Sequence, residues 1–217
     1  MAPRFAKRRA LIDPSHAIES ATPGSPLDKG DTTYITVVDK DRNAVSFINS
    51  LFESFGSGVV AGDTGIVLQS RGTGFSLDPN HPNHLEPGKR PFHTIIPAMV
   101  FKDGKLFMSF GVMGGAIQPQ AHVQVLVNLI DRGMNIQQAI EAPRYRFTSG
   151  NGVLLEDELT DALIKRLIER GHRRGRPDAG YTIRAQMGGG QAIIIDPVSG
   201  TLMGGSDPRK DGLAIGY

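Results

Sequence analysis

Thr32-Thr33-Tyr34-Ile35-Thr36-Val37-Val38-Asp39 is the run on which the fold turns. It is rich in β-branched side chains, which suit a pleated, half-buried surface. The polar turn Lys40-Asp41-Arg42-Asn43 ends it and Ala44 to Asn49 resumes the extended pattern, so the stretch predicts a β-hairpin. A second hairpin is predicted where Ile95 to Phe101 and Leu106 to Val112 flank Lys102-Asp103-Gly104-Lys105. Between Pro119 and Gly133, the residues Val123, Leu126, Val127 and Ile130 fall on one face of a predicted helix. Gln137 to Ala142 predicts a short helix stopped by Pro143. Leu159, Leu163, Leu167 and Ile168 mark an amphipathic helix ending at Gly171. Extended segments at Tyr181 to Ala185 and Ala192 to Ile195 close the pattern. Hairpins, then helices, then strands define an α+β class, not an alternating parallel sheet.

Upstream of the first hairpin the chain changes character. Arg4, Lys7, Arg8 and Arg9 precede any acid, with no apolar stretch behind them, so no secretory signal is visible and a cytoplasmic setting is expected. Pro14, Pro23 and Pro26 break regular structure, and residues 1–30 read as an irregular arm with one short helical turn near Ala10.

Composition bounds the rest. A chain of 217 residues can bury a substantial core. With 39% hydrophobic and 21% charged residues, neither a disordered tail nor a membrane-spanning protein is expected. The net charge of +2 gives no electrostatic ground for a nucleic-acid partner. The absence of cysteine removes thiol nucleophiles, disulfides and thiolate metal sites. The 27 glycines lie in short clusters, a sign of tight turns and close backbone approach.

Several short motifs invite a chemical reading. Asp63-Thr64-Gly65 matches the aspartic-protease tripeptide, but one copy needs a symmetric dimer to make a dyad, and a turn between Val60 and Ile66 accounts for it. His81 and His84 frame a loop that His93 could join as a third metal ligand, yet Pro82 and the lack of an acidic partner favour an ordinary polar loop and no metal. Arg173-Arg174-Gly175-Arg176-Pro177 is similar to a minor-groove hook; placed directly after a helix, it reads as a solvated helix-to-strand turn.

Thr32 is the remaining candidate. A threonine hydroxyl is a weak nucleophile, but an N-terminal threonine carries its own base, an α-amine with a pKa near 8. Cutting Asp31-Thr32, where the Pro/Gly arm becomes a strand, would put hydroxyl and amine together on a rigid edge. Without a cut, Thr32 merely opens a strand.

The order and spacing of Thr32-Thr33, Val37 to Asp41, Asn43 to Ser46, Phe55-Gly56-Ser57-Gly58, Lys89-Arg90-Pro91, Gly114-Gly115 and Ser206 to Gly212 carry a resemblance to the small subunit of the γ-glutamyltransferase family, running from about Asp31 to Tyr217. It implies a four-layer αββα sandwich of the N-terminal nucleophile hydrolase type. Residues 1–31 would be the end of a large subunit, and 32–217 the catalytic small-subunit domain. The implied partner is that large subunit from the same precursor, in a heterodimer or a dimer of heterodimers. Autocleavage between Asp31 and Thr32 would free the nucleophile Thr32. Ser50 matches a second threonine that hydrogen-bonds the nucleophile, and the amides of Gly114 and Gly115 match the oxyanion hole. No metal or organic cofactor is implied.

The implied substrate site departs from the family. An asparagine, a glutamine or glutamate, and an aspartate usually hold the donor's α-amino group; Phe52, Arg71 and Gly74 stand in their places, and none accepts an ammonium hydrogen bond through a side chain. His93 and Thr94 replace the paired serines that meet the α-carboxylate. The stretch from Phe75 to Lys89 is shorter than the usual lid, which implies a more open site. Two enzymatic readings follow: hydrolysis or transfer of γ-glutamyl groups, as on glutathione, and cleavage of a dicarboxylic-acyl amide without the amino group, such as a glutaryl amide. A third, an inactive structural fragment or paralogue, also fits a chain that lacks most of the large subunit.

Overall fold

A computed structural model describes residues 13–17, 31–53, 55–178 and 180–216. The order of elements is β1 (Asp31–Val38), β2 (Ala44–Phe52), β3 (Ala98–Lys102), β4 (Lys105–Met113), α1 (Ile117–Ile130), α2 (Ile136–Glu141), β5 (Tyr145–Phe147), β6 (Gly152–Leu155), α3 (Asp161–Glu169), β7 (Arg173–Arg174), β8 (Gly189–Ile195) and β9 (Leu202–Ser206). The α+β class is observed. The helical turn predicted near Ala10 lies outside the described residues.

The chain divides into two compact units, one of residues 26–142 with 187–217, the other of residues 1–25 with 143–186. In the first unit, β1 and β2 form the predicted hairpin and β3-β4-β8-β9 form an antiparallel sheet. Strand β3 starts at Ala98, later than the sequence implies: Pro97 has no amide to give a ladder, and the Ile96 amide goes to the Gln118 side chain at 3.2 Å. Asp103 and Gly104, both at positive φ (51° and 77°), turn β3 into β4, the geometry of a two-residue hairpin loop. Strand β9, unassigned in the sequence reading, pairs Leu202–Ser206 with β8; its two glycines hide the strand signal.

β4 is buried on both faces, so alternation sorts its side chains into two layers. Met108, Phe110 and Val112 pack with Ile117, Ala121, Val125, Ile136, Ala139, Ile140, Ala192 and Ile194 in one cluster between sheet and helices. Full burial of each larger apolar side chain there stabilises by about 1.5–3 kcal/mol. The opposite face of β4 carries Ser109 and Gly111, which receive the β1–β2 hairpin: Thr36 Oγ1 donates to Ser109 Oγ at 2.7 Å. Tyr34 Oη lies 2.6 Å from Ser46 Oγ, whose hydroxyl donates to the Ala98 carbonyl at 3.1 Å. Burial pushes the Tyr34 phenol above its usual pKa, against hydrogen bonds from Ser46, Ser109 and Thr36.

Gly111 makes this seat possible. A Cβ there would stand 2.5 Å from the Tyr34 ring. Gly111→Ala is therefore expected to destabilise by about 1–3 kcal/mol, the cost of overpacking. Thermal unfolding of the full-length protein checks this, with Gly72→Ala, where a Cβ meets nothing within 4 Å, as the neutral control.

The helix predicted after Pro119 exists, but the face named for it is not the buried one. Val123 and Ile130 are exposed, and Ile117, Gln118, Ala121, His122, Val125 and Asn128 are buried. Three polar residues on the inner stripe disguised it: Gln118 holds the Ile96 amide, His122 reaches the Gln118 carbonyl and leans on Phe110, and Asn128 donates to the Ala139 carbonyl. The short helix α2 matches its prediction and starts with a capping box of Asn135 and Gln138. Its C-terminal carbonyls at Ile140, Glu141 and Ala142 accept from Arg209, which is ion-paired at 3.1 Å with Asp207. Asp207 also accepts from the Gly190 amide at 2.9 Å, so the Ser206 to Gly212 motif ties α2 to β8.

In the second unit, β5 pairs antiparallel with β6, and β6 pairs parallel with β7. Arg173-Arg174, read as a solvated turn, is this short parallel strand; Arg173 Nε donates to Asn151 and Arg174 pairs with Asp157 at 2.9 Å. Helix α3 opens on Thr160, whose side chain accepts from the Leu163 amide, and Gly171 at φ 91° follows its end. Leu159 lies outside it. The extended segment expected at Tyr181 to Ala185 is absent: Thr182 Oγ1 accepts from the Ala185 amide at 3.2 Å, turning the chain into a 3-10 helix at Arg184–Gln186.

Candidate active site

The hairpin that seats on β4 delivers Thr32. Thr32 and Ser50 are direct cross-strand partners on the inner face, and the pairing register shifts between Asp31 and Thr32, with Asp31 opposite Phe52. Leu51 is thus the extra residue of a bulge, a device that re-aims side chains. Thr32 Oγ1 and Ser50 Oγ lie 2.8 Å apart, and the Phe52 amide donates to Ser50 Oγ at 2.9 Å. Thr32 is buried. The structure therefore brings together the two hydroxyls that the resemblance pairs.

The bulge leaves Phe52 at φ 77°, in the left-handed region. For a residue with a bulky side chain that conformation costs about 1–2 kcal/mol. An interaction of the ring offsets it: the Arg71 guanidinium carbon lies 4.0 Å from the Phe52 centroid, and a desolvated cation–π contact is worth up to about 2 kcal/mol. Ser70 fixes Arg71 there, its amide donating to the Leu51 carbonyl at 2.9 Å and its hydroxyl accepting from the Glu53 amide at 3.2 Å. Arg71 is 3% exposed and donates to Thr94 Oγ1 at 2.9 Å. Its Nε has no partner among the described residues. Burial lowers the Arg71 pKa, with no carboxylate among the causes acting against it.

His93 precedes Thr94 and is exposed at its outer edge. Burial of the remainder, then the charges of Arg71 and Arg90, lower its pKa from the ordinary 6.5. Residues 75–89 fold back on themselves: Ser76 pairs with His84, and Asn83 donates to the Gly74 carbonyl while accepting from the Phe92 amide at 2.9 Å. This short loop brings the Arg71–Gly74 turn and His93 to one place. His81 is used within the loop, its Nδ1 accepting from the Asn83 amide at 3.0 Å. Among the described residues no group of three His, Asp or Glu side chains could hold a metal ion, and no helix is long and apolar enough to cross a membrane. The Asp63-Thr64-Gly65 tripeptide forms a 3-10 turn between the paired residues Val60 and Val67.

Gly114 and Gly115 lie between the end of β4 and the start of α1. Gly114 has φ 136°, and a Cβ on it would stand 2.8 Å from the Gly188 Cα and from Ile117. Gly115 faces open space at φ 66°. Only glycine fits the first position, and the second presents bare backbone at a helix start, where amides favour negative charge. Gln118, in the first turn of that helix, had no place in the sequence reading. Nothing in its sequence setting marks it; the structure shows a fully buried polar side chain beside the apolar Ile117, Ala121 and Val125.

Thr32 and Ser50 stand together at the hairpin edge of a unit of the α+β class. Comparison with known proteins narrows the class: residues 1–217 match Gamma-glutamyltranspeptidase, and the chain belongs to that family. It is 48% identical over 191 residues to the Glutathione hydrolase-like YwrD proenzyme of Bacillus subtilis (strain 168), covering 86% of this chain and 36% of that one. To the Oxamate amidohydrolase proenzyme of Klebsiella pneumoniae it is 42% identical over 205 residues, covering 91% of this chain and 38% of the relative. The chain thus spans little more than a third of the relatives it matches. Among solved structures, a cephalosporin acylase from Bacillus halodurans aligns with a TM-score of 0.85 at 41% identity, over 100% of this chain and 39% of that one. The Gamma-glutamyltranspeptidase from Pseudomonas nitroreducens complexed with L-DON aligns with a TM-score of 0.74 at 30% identity, over 85% of this chain and 99% of that one.

Proposed function

We propose that this chain is the catalytic portion of a self-processing enzyme that cleaves γ-glutamyl amides through Thr32 and passes the acyl group to water, an amino acid or a peptide. The observation that carries this is the 2.8 Å contact of Thr32 with Ser50 beside the bulge at Asp31/Thr32. The Thr32 hydroxyl first attacks the Asp31 carbonyl and its proton passes to the Thr32 nitrogen; the peptide bond breaks, freeing the α-amine and leaving an ester, which water hydrolyses to the Asp31 α-carboxylate and the Thr32 hydroxyl. In turnover, Thr32 attacks the donor amide, its amine takes the hydroxyl proton and returns it to the departing amine, and the Gly114 and Gly115 amides face the oxyanion. Water or an amine then attacks the acyl ester.

The partner in this reading is the rest of the same precursor, in keeping with the proenzyme names of the relatives. Within the larger unit, helices, four-stranded sheet and hairpin form three layers. Ile35 with Phe47, and Val37 with Val45, pair across the outward face of the hairpin and are exposed. A fourth layer supplied by the rest of the precursor would cover them and complete the αββα sandwich.

A second reading of the donor is favoured by Arg71. A buried cation without a carboxylate, beside Phe52 and Gly74 that cannot hold an ammonium, suits a dicarboxylic mono-amide such as a glutaryl amide. The relatives named cephalosporin acylase and oxamate amidohydrolase are in keeping with it; oxamate is itself the mono-amide of a dicarboxylic acid. Measuring kcat/KM of the full-length protein on γ-glutamyl and glutaryl anilides decides. Preference for the γ-glutamyl compound establishes the first reading, preference for the glutaryl compound the second, and turnover of neither sinks both.

A further inference from the structure

We propose that Gln118 is a positioning residue, holding the segment that receives the acid end of the acyl group in register with the oxyanion turn. Gln118 is fully buried in the first turn of α1, and its own amide donates to the Gly115 carbonyl at 3.1 Å, so its backbone is part of the turn that carries Gly114 and Gly115. Its side chain reaches the other way. Oε1 accepts from the Ile96 amide at 3.2 Å, two residues beyond Thr94, which accepts from Arg71. A single carboxamide thus joins the Thr94–Ile96 segment to the Gly-Gly turn.

Stability alone does not account for this residue. Nε2 of Gln118 is buried with no hydrogen-bond partner among the described residues. An unmet buried donor is a stability cost, and its neighbours on the stripe, Ile117, Ala121 and Val125, are apolar. A methionine would fill the same volume without that cost. What methionine lacks is an acceptor for the Ile96 amide. Released, that amide would return to the β3 ladder or to water, and Thr94 would move with it, taking Arg71 from its place over Phe52.

The inference rests on the proposed amidase reading, and both donors considered there bear a carboxylate. It is tested in the full-length protein with Gln118→Met and Gln118→Glu, the latter keeping the acceptor. Exchange of the Ile96 amide in Gln118→Met should speed up about tenfold, the loss of one hydrogen bond. KM for acid-bearing anilides should rise about tenfold with kcat within about twofold. A butyryl anilide, which lacks the acid, should show no change in KM, and Gln118→Glu should restore both readouts. Unchanged Ile96 exchange and KM in Gln118→Met would overturn the proposal, as would a kcat that falls equally for all donors. Should the wild type turn over neither γ-glutamyl nor glutaryl anilide, the amidase reading fails, and the Ile96 exchange still decides whether Gln118 anchors the segment.

Discussion

Thr32→Ala in the full-length proenzyme is expected to leave one uncut chain, where the wild type gives two masses separated between Asp31 and Thr32. The attack on the Asp31 carbonyl needs an oxygen on the Thr32 Cβ, and the hydroxyl beside it does not substitute: Ser50 Oγ, 2.8 Å from Thr32 Oγ1, sits across the hairpin on β2. Turnover should fall to the detection limit, because without the cut no α-amine exists to serve as base. Ser50→Ala is the graded companion. It keeps the nucleophile and removes the hydroxyl that meets Thr32 Oγ1 and accepts from the Phe52 amide, so cutting should slow by at least about tenfold, the usual scale of one hydrogen bond. Intact-mass analysis over time reads both. A wild-type chain that stays uncut would favour the inactive fragment or paralogue, and a Thr32→Ala chain that is still cut would place the scissile chemistry elsewhere.

Local rules place Thr32 at the start of a strand, whereas its reading as a nucleophile comes from the family resemblance. A β-branched run after a Pro/Gly arm gives both the strand and its edge, and local rules suffice to place it. The bulge is different: no residue near Leu51 announces it, since the register shift is fixed by how the hairpin seats on Gly111 and how Ser70 grips the Leu51 carbonyl. Helix α1 shows the opposite failure. Its length was readable, but the inner stripe carries Gln118, His122 and Asn128, each with a partner distant in sequence or inside the helix. Periodicity counts apolar residues, so it selected the outer face at Val123 and Ile130. Strand β7 was missed for a related reason. Two arginines form it, and only the pairing of Arg173 with Gly152 and Arg174 with Val153 makes it a strand.

Arg71→Met is expected to separate stability from function, raising the first while impairing the second. Arg71 is buried against Phe52 and Thr94, and no carboxylate among the described residues meets it. An unpaired buried charge is a liability in the free protein, and an apolar side chain of similar length relieves it. The thermal midpoint should therefore rise. Phe52, held at φ 77°, would lose its cation–π partner, which sets the limit on that gain. A substrate carboxylate placed against Arg71 would be the missing counter-charge, and losing such a charge-assisted bond costs about 1.5–3 kcal/mol, or roughly 10- to 150-fold in KM. KM for the acid-bearing anilide should rise on that scale, and the butyryl anilide should be turned over as by the wild type. A lower midpoint with KM unchanged would mean that Arg71 finds its counter-ion in the rest of the precursor and serves assembly. A higher midpoint with KM raised only for the acid-bearing donor would mean that the site tolerates an unpaired cation because the substrate completes the pair.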